Sequence, residues 1–314
     1  MNRLPSTTAA LDDAERAWWH EHGDLEDRFC WVQPPEVQRI LRGEYLERVV
    51  ACVRPGDRVL EVGCGAGWLT LLLAELGSSE VTGIDFSSDQ VALAKRAAKQ
   101  AGASSVHFEV CALGEMAERD GGFDVVVMHA FLHHLATDEV DEAIRLAGSV
   151  LAPGGRLVVF EPTLFRRGRP TGPWALRALQ RLIWIPMFLH RRGVRPVTPA
   201  EADVRQRLSE RQRGVAPFGP APKEIAFEED ELQPMLQRHV RVDARVRAVS
   251  MSLLVAQELL IGELSQPRAF RLVRRPVLLL ARALDRWLLR AEPPPASVWV
   301  FELFIGTKAG CSGG

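Results

Sequence analysis

The sequence predicts an α/β protein built on a doubly wound, mostly parallel sheet. Short apolar segments alternate with amphipathic ones from Arg58 to Phe160. Phe123–Met128 is a near-continuous apolar run, as expected of a parallel strand covered on both faces. Glycine and proline mark the junctions, at Pro55-Gly56, Gly63-x-Gly65-x-Gly67, Gly102 and Pro153-Gly154-Gly155. The chain has 314 residues, 47% hydrophobic and 25% charged, enough for one large core or a core with an appended subdomain. That balance excludes collagen-like, low-complexity and wholly disordered chains.

Residues 1–54 read as helices. Val37, Ile40, Leu41, Tyr45, Val49 and Val50 fall on one face, and Pro55-Gly56-Asp57 ends the run. Arg58–Val62 is a strand and Trp68–Leu76 a helix stopped by Gly77. Glu80–Asp85 is the second strand. Ser88–Gln100 is a helix with Ser87 or Ser88 as N-cap and Gly102 beyond its end. Val106–Val110 and Phe123–Met128 are strands, Asp138–Leu151 is a helix, and Arg156–Phe160 is the fifth strand. Residues 163–223 are rich in Arg, Pro and Gly and lack strand signals. Glu228–His239 reads as a helix, Val240–Ser250 as a strand, Met251–Pro295 as mostly helical, and Ser297–Lys308 as the last strand.

The five cysteines, Cys30, Cys52, Cys64, Cys111 and Cys311, form no CxxC pair, so neither a disulfide framework nor a metal site is expected. Met1–Ala14 lacks the basic-then-apolar pattern of a signal peptide, and no run of about 18 uncharged apolar residues occurs. A cytoplasmic protein is therefore expected. The net charge of −1 conceals a split: residues 163–290 carry 23 Arg and one Lys against 12 acidic residues. The preference for Arg over Lys, 35 to four in the whole chain, is compositional, but the local excess of cations is not.

The densest chemical signal is Glu61-x-Gly63-x-Gly65-x-Gly67, where a strand turns into a helix. Glycine there tolerates positive φ and leaves the backbone open to a ligand. The second strand ends in Asp85, 18 residues after Gly67, where a carboxylate can accept from a ribose diol. Phe86 follows and can pack on an adenine. A nicotinamide-binding loop would want Gly or Ala where Trp68 stands.

With Gly83-Ile84-Asp85-Phe86-Ser87, Phe123-Asp124-Val125-Val126-Val127 and Leu151-Ala152-Pro153-Gly154-Gly155-Arg156, four motifs follow in order. Residues 58–161 resemble a class I S-adenosylmethionine-dependent methyltransferase. The resemblance implies a seven-stranded Rossmann-like sheet and S-adenosyl-L-methionine as cofactor. It implies cofactor contacts at Glu61, Gly63, Cys64, Gly65, Gly67, Asp85, Phe86, Ala112, Leu113 and His129. Arg42, on the N-terminal helix that enters the first strand, is a candidate partner for the cofactor carboxylate. In the family an Asp often follows the third strand. Here Ala112 stands in its place, with backbone contacts or Glu115 as substitutes.

The chain then divides into an N-terminal helical lid (1–54), a cofactor-binding core (55–162), an Arg/Pro-rich insertion capping the substrate (163–226), a core helix and strand (227–252), an amphipathic helical insertion (253–296) and a last core strand with a tail (297–314). His129, His133 and His134 cluster after the fourth strand. A neutral imidazole suits a general base, and Glu161 at the end of the fifth strand can orient one. By motif alignment His133 is the first candidate and His134 the second.

Residues 174–189 and 268–290 are Leu- and Trp-bearing stretches flanked by Arg. In the second, Val277, Leu280, Leu284, Trp287 and Leu288 share a helical stripe. Such helices can form core, cover an apolar acceptor pocket, contact an anionic membrane or meet a partner. No nucleic-acid-binding motif accompanies them. The resulting expectation is methyl transfer to a small, hydrophobic or lipid-like acceptor, at oxygen first. An N- or C-methyltransferase, or a non-catalytic cofactor-binding scaffold, is the alternative.

Overall fold

The computed structural model describes Glu15, Ala17 and residues 46–75, 80–165, 227–249, 270–288, 290 and 298–310. Arg42, Tyr45 and residues 174–189 lie outside the described residues, as does most of the expected lid and cap.

The described elements are α1 (Leu46–Ala51), β1 (Arg58–Val62), α2 (Trp68–Glu75), β2 (Glu80–Asp85), α3 (Ser88–Ala101), β3 (Val106–Val110), β4 (Phe123–His129), α4 (Thr137–Val150), β5 (Leu151–Phe165), β6 (Phe227–Glu228), α5 (Leu232–Gln237), β7 (Arg241–Val249), α6 (Phe270–Leu288) and β8 (Val298–Thr307). The strands form one sheet in the order β3-β2-β1-β4-β5-β8-β7, with β6 paired to β5 off that path. All pairings among β1–β6 are parallel, whereas β8 is antiparallel to both β5 and β7. The order reverses at β1, between β2 and β4. The crevice outside the strand ends at such a switch point is where ligands of open α/β sheets sit.

Local chemistry accounts for the element ends. The Ser87 side chain accepts from the Gln90 N–H and caps α3, and Gly102 closes the helix at φ +66°. Pro153-Gly154-Gly155 falls within β5 itself. The β4–β5 register jumps from Phe123↔Leu151 to Val125↔Arg156, so the turn bulges out of a ladder that continues on both sides. The sheet also corrects the reading of 228–239 as one helix. Phe227–Glu228 pairs with β5, a turn follows, and only Leu232–Gln237 is helical.

Two apolar layers sandwich the sheet. One joins Val59, Val127, Val158, Phe160 and Leu303 to α1, α2 and Ala281 of α6. The other joins Leu60, Val126, Val159 and Phe304 to α4 and α5. Of the stripe expected on 277–288, the described residues Leu280, Leu284 and Trp287 are not buried together. Ala281 and Asp285 are buried, while Leu280 and Trp287 are 63% and 57% exposed. A helix approaching a sheet through a small residue turns its bulkier side chains outward.

Candidate functional site

The site is a cleft of about 240 Å3 across the C-terminal ends of β1–β4. Its floor starts at the glycine loop. The Gly63 and Cys64 N–H groups both donate to the Ile84 carbonyl, at 2.9 and 3.0 Å, which ties the loop to β2. Gly63, Gly65 and Gly67 have φ of +74°, +51° and +80°. A Cβ at Gly63 would overlap the Phe131 ring, and one at Gly67 would stand 2.5 Å from Phe108. Glycine is thus required at both positions by conformation and by space. Glu61 is buried beneath the loop, where the Thr70 hydroxyl of α2 donates to it. This bond fastens the loop to α2. Cys64 is also buried, its thiol directed at the Gly65 carbonyl.

Asp85 stands at the cleft's centre. Its Oδ2 accepts from the Gly65 N–H at 3.0 Å and its Oδ1 from the Ser87 N–H at 2.8 Å. Burial pushes this carboxyl above its ordinary range, while the two backbone donors and the His134 imidazole pull the other way. Each carboxylate oxygen has more than one lone pair, so the remaining acceptor capacity fits a ribose diol. Phe86, Cys111, Ala112, Leu113 and Met116 line the cleft beside it. Glu115 has one oxygen engaged: its Oε2 accepts from the Ala112 N–H at 2.7 Å. An apolar wall, a carboxylate and a glycine turn without side chains, laid side by side over consecutive strand ends, fit a nucleoside with a small polar extension. Arg42 cannot be placed against them, since it is outside the described residues.

The histidines separate into three environments. His129 ends β4 but does not line the cleft. Its ring stacks on Phe160 at 4.7 Å and meets Trp68 edge-on at 5.2 Å. Complete burial lowers its pKa to about 3, so it is neutral near pH 7. His133 lies in the short 3₁₀ turn Leu132–His134, is buried and, like His129, does not line the cleft; its Nδ1 is 2.7 Å from Glu161 Oε2. Glu161, fully buried, also accepts from the N–H groups of Phe131 (2.8 Å), Leu132 (2.6 Å) and His133 (3.4 Å). One carboxylate therefore caps the turn and holds the imidazole. His134 lines the cleft, and its Nδ1 lies 2.9 Å from Glu15 Oε1. The two imidazoles are 4.1 Å apart, so the pairs Glu161–His133 and Glu15–His134 stand against each other.

Glu15, Gln90, Ala130, Phe131 and Glu139 also line the cleft, and none of them is predicted by the sequence motifs. Glu15 carries no local signal, because its contact spans more than a hundred residues of chain. Phe131 has one, since it sits in the same segment as the histidines.

Comparison with known proteins agrees with this geometry. A family model described as a methyltransferase domain matches residues 59–155. The ubiquinone biosynthesis O-methyltransferase of Albidiferax ferrireducens is 32% identical over 53% of this chain and 61% of its own length. That of Methylocella silvestris is 30% identical over 63% of this chain and 79% of its own. The chain thus spans under two thirds of the first relative and more of the second. The N-methyltransferase NodS of Bradyrhizobium japonicum WM9, solved with S-adenosyl-L-homocysteine, shares the fold. Its TM-score is 0.52 and its identity 15%, over 94% of this chain and 99% of that one. With the loop, the carboxylate and the sheet order in place, the chain belongs to the class I S-adenosylmethionine-dependent methyltransferases.

Proposed function

We propose that this chain methylates an oxygen of a small, hydrophobic acceptor, with His133 as the base. The observation that carries this is the His133–Glu161 pair at 2.7 Å. A carboxylate bonded to Nδ1–H fixes the tautomer and leaves the lone pair on Nε2, the arrangement of an oriented general base. Glu161 also sets the turn that carries the ring, through three backbone donors. S-adenosylmethionine, when bound, supplies an electrophilic methyl group. Gly63, Asp85, Phe86, Ala112 and Leu113 would hold it. The protein's remaining tasks are to align the acceptor in line with the methyl group, to exclude water and to take the hydroxyl proton. The names of the ubiquinone biosynthesis relatives support oxygen as the accepting atom and a hydrophobic molecule as its carrier.

A hydrophobic acceptor raises the question of where it is met. Part of this proposal is a peripheral contact with anionic membrane through α6. Among the described residues, three of the four exposed large apolar side chains, Leu279, Leu280 and Trp287, lie on that helix. Residues 268–290 carry seven Arg and one acidic residue. No described helix is long and apolar enough to cross a membrane.

The test is calorimetry with S-adenosylmethionine and S-adenosylhomocysteine, followed by a methyl-transfer screen over catechols, hydroxylated quinols and polyketide phenols. Binding with turnover at a hydroxyl supports the proposal. Turnover only on amines would overturn its oxygen assignment. Binding with no turnover on any acceptor class favours a scaffold.

A further inference from the structure

We propose that Phe131 distinguishes the positively charged methyl donor from its neutral demethylated product, by presenting its ring to the sulfonium. This rests on the cofactor reading above. Sheet order supplies the placement. Moving across the strand ends, the cleft meets Ala112 after β3, Asp85 and Phe86 after β2, Gly63 after β1 and Phe131 after β4. A ligand whose ribose lies at Asp85 and whose base lies between Phe86 and Ala112 extends its sulfur towards Gly63 and Phe131.

The ring's position is over-determined. Ala130 has φ of +52°, a conformation that is unfavourable for a residue bearing a Cβ. It is held there because its N–H donates to the Phe160 carbonyl at 2.8 Å, while the next N–H, of Phe131, donates to the buried Glu161 at 2.8 Å. The result is a sharp exit from β4 that brings the Cγ–Cδ2 edge of the Phe131 ring to within 2.7 Å of where a Cβ of Gly63 would stand. Strain maintained by two flanking hydrogen bonds at a ligand cleft points to a role in binding.

The chemistry of the surroundings selects that role. Phe131 and Phe86 are the two phenylalanines of the described cleft wall. The carboxylates there have donors of their own: Asp85 has Gly65 and Ser87, Glu139 has the Ala136 N–H at 2.7 Å, and Glu15 has His134. These carboxylates keep their charge but are fixed by those donors, and at the Gly63 end the Phe131 ring is a further group able to attract a cation. An aromatic face attracts a cation through its quadrupole and has no such attraction for a neutral thioether. The donor loses its positive charge with its methyl group, so the ring favours the reactant over the product and eases product release.

Calorimetry on the full chain tests this with wild type, Phe131→Leu and a series carrying mono-, di- and trifluorinated phenylalanine at 131. In Phe131→Leu, S-adenosylmethionine should bind about 3- to 30-fold more weakly, with S-adenosylhomocysteine held within about twofold. The fluorinated rings keep the shape beside Gly63 and should weaken the charged ligand alone, in steps. Equal loss for both ligands, or a flat fluorine series, overturns the proposal. Wild-type protein binding neither ligand overturns the cofactor reading and this proposal together. Binding of both with parallel changes overturns this proposal alone.

Discussion

His133 Nδ1 lies 2.7 Å from Oε2 of Glu161, a carboxylate that no solvent reaches. The pair joins two neighbouring strands, since His133 follows β4 and Glu161 lies within β5, and it makes the ring's orientation a property of the sheet. His133→Ala should lower turnover by about a hundredfold or more, with S-adenosylhomocysteine affinity unchanged. Glu161→Gln should cost both turnover and stability, because an amide presents one acceptor oxygen where the turn uses two. Steady-state kinetics on the acceptor found by screening, with denaturant unfolding alongside, separates the effects. A His133→Ala protein with near-wild-type turnover would remove His133 from the mechanism.

Asp85→Asn should weaken S-adenosylmethionine binding by about tenfold or more. The substitution keeps the volume but sets an amide N–H against the Gly65 or Ser87 N–H, both of which now donate to the carboxylate. Calorimetry reads the affinity, and a thermal melt without ligand reports the loop. An unchanged affinity would mean that the nucleoside lies elsewhere.

The pH dependence of folding has an identifiable contributor in His129. The unfolded chain takes up a proton at this imidazole below about 6.5, whereas the folded chain does so only near 3. Between those values the unfolded state binds more protons, so stability falls as pH falls. At pH 5 this one group should cost about 2 kcal/mol relative to pH 6.5. His129→Phe preserves the stack on Phe160 and should flatten that slope. Urea unfolding of both proteins at the two pH values checks it, and identical slopes would refute the burial argument.

The exposed face of α6 predicts flotation of the protein with phosphatidylglycerol vesicles and not with phosphatidylcholine vesicles, weakening as salt rises. Leu280→Asp combined with Trp287→Asp should reduce the bound fraction by about tenfold or more, because burying each apolar side chain on insertion contributes about 1 kcal/mol or more. Cofactor affinity should not change. Equal flotation of the variant, or none by wild type at low salt, would rule this face out.

Alternation of strand and helix, the glycine spacing and the acidic end of β2 are all legible in the linear chain, because each follows from contacts made within a few residues: a turn, a cap, or the period of one strand or helix. The histidine cluster and Glu161 are visible there too, as chemistry. Their arrangement in space came from tertiary packing. It placed His129 in an aromatic stack, His133 on Glu161 and His134 on the cleft wall against Glu15. It also turned Leu280 and Trp287 outward, placed β6 beside β5, and drew Phe131 up to Gly63. These outcomes depend on which strand ends lie side by side and which helix face meets the sheet. Such pairings join residues tens to more than a hundred positions apart, and no local period encodes them.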